Sequence, residues 1–96
     1  MNDQKNFEET MKFINDELSL EEGLDFNKYQ SSAIRRVQRV PGPKGGLIIT
    51  FQSGSTWIYF GVDINTANAF MNSESLGKAY HQLIKHHYRS QKLAAI

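Results

Sequence analysis

The strongest constraint on this chain lies between Leu47 and Phe60. Leu47 to Gln52 and Thr56 to Phe60 are dense in β-branched and aromatic residues, and only Ser53-Gly54-Ser55 separates them. Two such runs around a short glycine-bearing turn fold as a β-hairpin. The turn then decides which side chains share a face. A two-residue type II′ turn at Gly54-Ser55, favoured by glycine at its first position, sets Phe51 opposite Ile58 and Ile49 opposite Phe60, with Leu47 on the same core side. Gln52 and Thr50 then oppose Trp57 and Tyr59, so the outer face is half polar and carries two large aromatics. A three-residue turn shifts the pairing and buries those aromatics instead.

Ala33 to Val40 reads as a first strand, in which Ile34 and Val37 stand an odd distance apart, a misfit that a bulge repairs. Pro41-Gly42-Pro43-Lys44-Gly45-Gly46 is a loop, with two fixed φ angles and three flexible residues. Beyond Gly61-Val62-Asp63 the period becomes helical. Thr66 to Met71 forms a short helix capped by Asn65 or Asp63 and broken by Asn72-Ser73-Glu74. A longer helix runs from near Ser75 to about Ser90. Leu76, Tyr80, Leu83, Ile84 and Tyr88 make its apolar stripe, and Lys78, Gln82, Lys85, Arg89 and Lys92 step along another side. The last five residues continue this helix or fray.

Before the first strand, Phe7, Met11, Ile14 and Leu18 fall at spacings of four, three and four, the apolar stripe of an amphipathic helix over residues 6–20. Gly23 terminates it, and Leu24 to Tyr29 adds a short turn. The expected fold class is α+β: a three-stranded antiparallel β-meander with two C-terminal helices and an added N-terminal amphipathic helix. Residues 1–29 are then an acidic helix and linker, 30–92 the α+β domain and 93–96 a tail.

At 96 residues and 40% apolar content, one modest core is all the chain can build. It has no cysteine, which excludes disulfides, thiolate metal sites and cysteine catalysis. The longest wholly apolar run is Leu47-Ile48-Ile49, far below the ~20 residues that cross a bilayer, and the start is polar and acidic, so a soluble cytoplasmic protein with no membrane partner is expected. The net charge of +1 conceals a segregation. Residues 1–27 hold eight acids against Lys5 and Lys12, a balance of −6, whereas residues 28–96 hold nine bases against Asp63 and Glu74, a balance of +7. A cationic body of this kind attracts phosphate or another polyanion, and an acidic segment sits beside it or shields it.

From Ser31 to about Lys92 the residues follow a recognisable order. Ser31-Ser32-Ala33-Ile34 opens it, followed by Leu47-x-Ile49-x-Phe51-x-Ser53-Gly54, the aromatic-x-aromatic Trp57-Ile58-Tyr59, and Phe60-Gly61-Val62. Ser75-Leu76-Gly77-Lys78-x-Tyr80 and Ile84-Lys85-x-x-Tyr88 close it. In this the chain resembles the KTSC domain, a short module found alone in bacterial and phage-type proteins and at the C-terminus of some lysyl-tRNA synthetases. Trp57 stands where that family usually has the first tyrosine of its central Tyr-x-Tyr, and Asp63 replaces the proline expected after valine. The acidic helix before Tyr29 lies outside the family pattern. The resemblance implies a small α+β fold and a suspected RNA-binding role.

Nucleic-acid binding needs cations that track phosphates and flat surfaces on which bases stack. Trp57 and Tyr59 are the candidate platform, with Arg35, Arg36 and Arg39 on the neighbouring strand reaching phosphates or guanine edges; the opposing expectation is that both rings belong to the core or an interface. Ser75, Gly77 and Lys78 at a helix start are a second candidate, where free N–H groups and a lysine hold a phosphate. An ordinary serine N-cap, with glycine chosen for tight packing against the sheet, is the preferred reading of them. Lys85 and Arg89 extend the basic surface. His81, His86 and His87 are spaced five and one apart, wrong for two metal ligands on one helix, so no metal and no cofactor are expected. Asp63 or Glu74 with a histidine and a serine is the only catalytic set to consider, and no nucleophile motif supports it. The chain therefore reads as a non-catalytic binding domain for RNA or another phosphate-bearing ligand. The alternative is a phage- or bacterial-type protein-interaction module, an oligomer through Phe7, Met11, Ile14 and Leu18, that targets a host protein or sequesters a small signalling nucleotide. A further expectation for that apolar stripe, and the more economical one, is that it covers the aromatic face of the sheet within the same chain, which would bury Trp57 and remove the RNA platform.

Overall fold

The computed structural model describes residues 23–40 and 45–94. The expected N-terminal helix, Pro41 to Lys44 of the loop and the last two residues lie outside the described residues. Five strands form one antiparallel sheet in chain order: β1 (Leu24–Asp25), β2 (Ile34–Arg39), β3 (Gly46–Phe51), β4 (Thr56–Phe60) and β5 (Ser90–Ala94). Between β4 and β5 come helix α1 (Ile64–Met71) and helix α2 (Leu76–Ala79), the latter continued by a π-helical turn over Tyr80–Ile84. The α+β class and the two helices stand, but the sheet has five strands rather than three.

Both additional strands occupy edges. β1 falls in the segment expected to be a turn, and Leu24 and Asp25 pair with Val37 and Arg36. β5 exists because the second helix ends early. Lys85 N–H donates to the Tyr80 carbonyl at 2.7 Å, closing the π turn, after which Lys85 is extended and His86 takes a left-handed φ of 66°. The chain thereby turns back along the open edge of β4, where Tyr59 pairs with Ser90 and Trp57 with Lys92. Ser-Gln-Lys has weak strand preference; the unpaired edge decides its conformation. The expected helix to Ser90 is thus corrected, and with it the basic ladder: Lys78 is on α2, Lys85 follows the π turn, Arg89 precedes β5 and Lys92 lies within it. Leu76, Tyr80, Leu83, Ile84 and Tyr88 nevertheless all reach one core.

The hairpin has the three-residue turn. Phe51 N–H donates to the Ser55 carbonyl and Gly54 N–H to the Phe51 carbonyl, each at 2.9 Å, and Gly54 has φ 101°, a value that glycine adopts without a Cβ clash. Leu47 therefore opposes Tyr59, Ile48 opposes Ile58 and Ile49 opposes Trp57. The expected pairs Phe51 with Ile58 and Ile49 with Phe60 do not form. In β2, a register shift between Ile34 and Arg36 leaves Arg35 as the bulged residue and turns Ile34 and Val37 to the same side, as the odd spacing required.

One face of the sheet meets the helices. Ile34, Val37, Leu47, Ile49, Tyr59 and Val62 pack there with Ala67, Phe70, Leu76, Ala79 and Ile84, and full burial of such a side chain is worth about 1.5–3 kcal/mol. The other face holds a smaller cluster of Val40, Ile48 and Ile58, with Phe60 and Leu93 against it. Asp63 starts α1 by accepting the Thr66 N–H at 2.7 Å, and Ser75 caps α2 through Lys78 N–H at 3.4 Å.

Candidate functional site

The sheet does not present the expected aromatic platform. Tyr59 is 4% exposed, and its hydroxyl shares a 2.8 Å hydrogen bond with that of Tyr80, whose ring also meets Tyr59 and Phe51 edge-on. Burial, reinforced by the Tyr80 hydroxyl, pushes the Tyr59 phenol far above its ordinary range. Trp57 lies on the same side, half-buried against the core. The three-residue turn is the cause, since it puts both rings on the helix side of the sheet. The arginines are dispersed as well. Arg35 projects from the bulge and is exposed, whereas Arg36 lies on the second face in a bidentate ion pair with Asp25 at 2.9 and 3.0 Å. Arg39 opposes Leu47 on the helix side. Arg89 sits over the Phe60 ring, 4.9 Å from its centroid, and Lys85 is half-buried after the π turn. These residues do not converge with Trp57 and Tyr59 on one accessible surface.

A different group does converge. Between the Asn27–Ser31 turn and the start of α2 runs an open cleft of about 280 Å³, lined in part by Lys28, Tyr29, Ser32, Glu74, Ser75 and Gly77. The turn is built locally. Asn27 Oδ1 accepts the N–H groups of Tyr29 and Gln30, both at 2.9 Å, and Gln30 Oε1 accepts that of Asn27 at 2.9 Å, a reciprocal arrangement of the capping-box type. Ser31 is buried, and its hydroxyl accepts the Ile34 N–H at 3.0 Å. From the hairpin turn, the Gln52 amide nitrogen comes within 3.1–3.2 Å of the carbonyls of Phe26, Ser31 and Ile34, tying both ends of the turn to the sheet. The result is a fixed loop on which Tyr29 is completely exposed.

On the opposite wall, Gly77 faces Ala33. A Cβ placed on Gly77 meets only the Ala33 methyl at 3.9 Å, ordinary contact distance, so packing does not demand glycine there. Its missing side chain leaves the cleft wider. Of the residues expected to bind, Ser75 and Gly77 thus line the cleft, and Lys78 is exposed on the same helix. Lys28, Tyr29 and Gln52 were not among them. The signal for the turn was present as Asn27-x-x-Gln30, whereas Gln52 acts through a tertiary contact that spacing cannot show.

The matched segment of the chain begins at this same turn. The family model for the KTSC domain matches residues 30–88, more than half of the chain. The chain belongs to the KTSC domain family. A search of curated proteins gives no significant match. The KTSC segment takes in β2, β3, β4, both helices and the π turn, while β1 and β5 flank it. Trp57-Ile58-Tyr59, the central aromatic pair of the KTSC resemblance, forms part of the domain core. His81 lies against the edge of Tyr80, and His86 and His87 are exposed beyond the π turn; among the described residues no group of three or more His, Asp or Glu is placed to hold a metal ion. No helix among the described residues is long and apolar enough to cross a membrane.

Proposed function

We propose that this KTSC protein is a non-catalytic cytoplasmic module that binds a phosphate-bearing ligand, single-stranded RNA foremost, in the cleft between the Asn27–Ser31 turn and α2. The observation that carries the proposal is the fully exposed Tyr29 ring on a hydrogen-bonded loop, beside a polar cleft and next to Lys28. A base stacked on such a ring gains about 1–3 kcal/mol, and a rigid loop loses little freedom on binding. Lys28 and Lys78 supply positive charge at the two walls, and the Ser32 and Ser75 hydroxyls supply hydrogen bonds to phosphate oxygens. Glu74 repels phosphate from its own end of the cleft, which directs the anion toward Lys28.

Fluorescence anisotropy of a labelled single-stranded RNA tests this reading. Affinity is expected to fall as salt rises, to drop about fivefold or more in Tyr29→Ala and to weaken further in Lys28→Ala with Lys78→Ala. Trp57→Phe is the control and leaves affinity unchanged. Absence of binding at low ionic strength, or binding that ignores Tyr29, rejects the cleft.

A further inference from the structure

We propose that the cleft takes the 3′ end of an RNA strand, with Lys28 on the phosphate, Tyr29 stacked on the terminal base and Glu74 accepting hydrogen bonds from the 2′- and 3′-hydroxyls of the terminal ribose. The inference rests on the cleft being an RNA site and adds which part of the strand enters it. Its support is Glu74. The described residues hold three acids, and two of them have structural partners: Asp25 forms the bidentate ion pair with Arg36, and Asp63 caps α1. Glu74 makes no hydrogen bond or ion pair among the described residues, although Lys78 stands four residues on. An exposed carboxylate without an internal partner therefore lines a cleft whose other wall carries Lys28.

That charge pattern selects among nucleotides. A nucleotide inside a strand carries a phosphate on each side of its ribose, and the 3′ phosphate would meet Glu74 charge against charge. A 3′-terminal nucleotide carries one phosphate, on its 5′ side, and two adjacent hydroxyls on the other. The two oxygens of a carboxylate accept from both hydroxyls, as an acidic side chain accepts from the ribose 2′-hydroxyl in dinucleotide-binding folds. A 5′ end offers one hydroxyl at most, and a DNA 3′ end lacks the 2′-hydroxyl, so each supplies half of this recognition. Size agrees. At about 280 Å³ the cleft lies just below the ~300–1,000 Å³ of pockets that enclose drug-sized ligands, room for one nucleotide rather than a run of them.

Anisotropy of a 5′-labelled hexauridylate that ends in a 3′-hydroxyl, a 3′-phosphate or a 2′,3′-dideoxy residue tests the assignment on the full-length protein. The 3′-hydroxyl strand is expected to bind about tenfold more tightly than the 3′-phosphate strand and about fivefold more tightly than the dideoxy strand. Glu74→Gln should bring the hydroxyl and phosphate strands within about twofold of each other, and Glu74→Lys should make the phosphate strand the tighter. Both variants should keep the parent's urea midpoint, since the side chain has no partner to lose among the described residues. Equal binding of the three strands by a protein whose affinity still depends on Tyr29 overturns the 3′-end assignment and leaves the RNA cleft standing. Absence of binding by every strand at low ionic strength removes both. Uridine 5′-monophosphate carries the same phosphate and diol, so competition with it separates a free nucleotide from a strand end. Competition about tenfold weaker than that of the strand, whose further phosphates meet the cationic body, supports the RNA end; equal affinity assigns the cleft to a free nucleotide and overturns it.

Discussion

Tyr59 and Asp63 show how a single residue's surroundings set its chemistry. The Tyr59 phenol is buried against Tyr80 and held protonated, its value raised above the ordinary one near 10. Its contribution to stability is therefore fully present below about pH 10 and is lost as pH rises from there toward the folded value, because the unfolded chain ionises first. Urea unfolding midpoints between pH 8 and 11 should fall on the alkaline side, and Tyr59→Phe should flatten that fall while costing about 1 kcal/mol at neutral pH for the lost hydrogen bond. Asp63 runs the other way. The Thr66 backbone N–H holds its carboxylate below the usual value, so the cap is fully formed above the ordinary carboxylate range and is lost as pH falls through the lowered one. The protection factor of the Thr66 amide, its exchange rate relative to the intrinsic rate at each pH, should fall on acidification in the native protein and lose that pH dependence in Asp63→Asn, which keeps an oxygen acceptor without a titrating group.

Elements were legible where their signal was local and illegible where a neighbour decided. β2, with its bulge, the β3–β4 hairpin and α1 follow from pattern and turn residues within each segment. The hairpin register did not, because Ser53-Gly54-Ser55 accommodates two turn lengths, and the odd shift between their pairings exchanges the two faces of β4 while β3 keeps its own. That shift is what removed Trp57 and Tyr59 from the candidate site. The helix expected to Ser90 failed for a related reason: its apolar stripe is real, but the π turn brings Tyr88 to the same core without another helical turn. His86 holds the reversal at φ 66°, which costs a non-glycine residue roughly 1 kcal/mol, so His86→Gly should leave stability unchanged or raise it in chemical denaturation. In α2, Gly77→Ala should stabilise by up to about 1 kcal/mol through helix propensity, since its Cβ has room beside Ala33. The same methyl narrows the cleft, so weaker RNA binding by a more stable protein would separate the roles of Gly77.

At the scale of the whole molecule, the charge segregation read from the sequence acquires a geometry. The basic residues surround a sheet-and-helix body whose cleft lies at one end of α2, and the acidic segment precedes edge strand β1. The segment is continuous in sequence with the body at Gly23, so its acids belong to the same chain as the cleft. At about 10 Å in water one charge pair contributes ~0.4 kcal/mol before screening, and salt reduces it further. Removing four acids while sparing the apolar stripe, through Glu8→Gln, Glu9→Gln, Glu21→Gln and Glu22→Gln, changes the net charge from +1 to +5. Such a variant should bind single-stranded RNA roughly fivefold more tightly at low salt, about 1 kcal/mol, and converge on the parent as ionic strength rises. Titrations of both proteins across a salt series read this directly. An equal gain at every salt concentration would mean that the acids act by contact within the cleft rather than through the field of the whole chain.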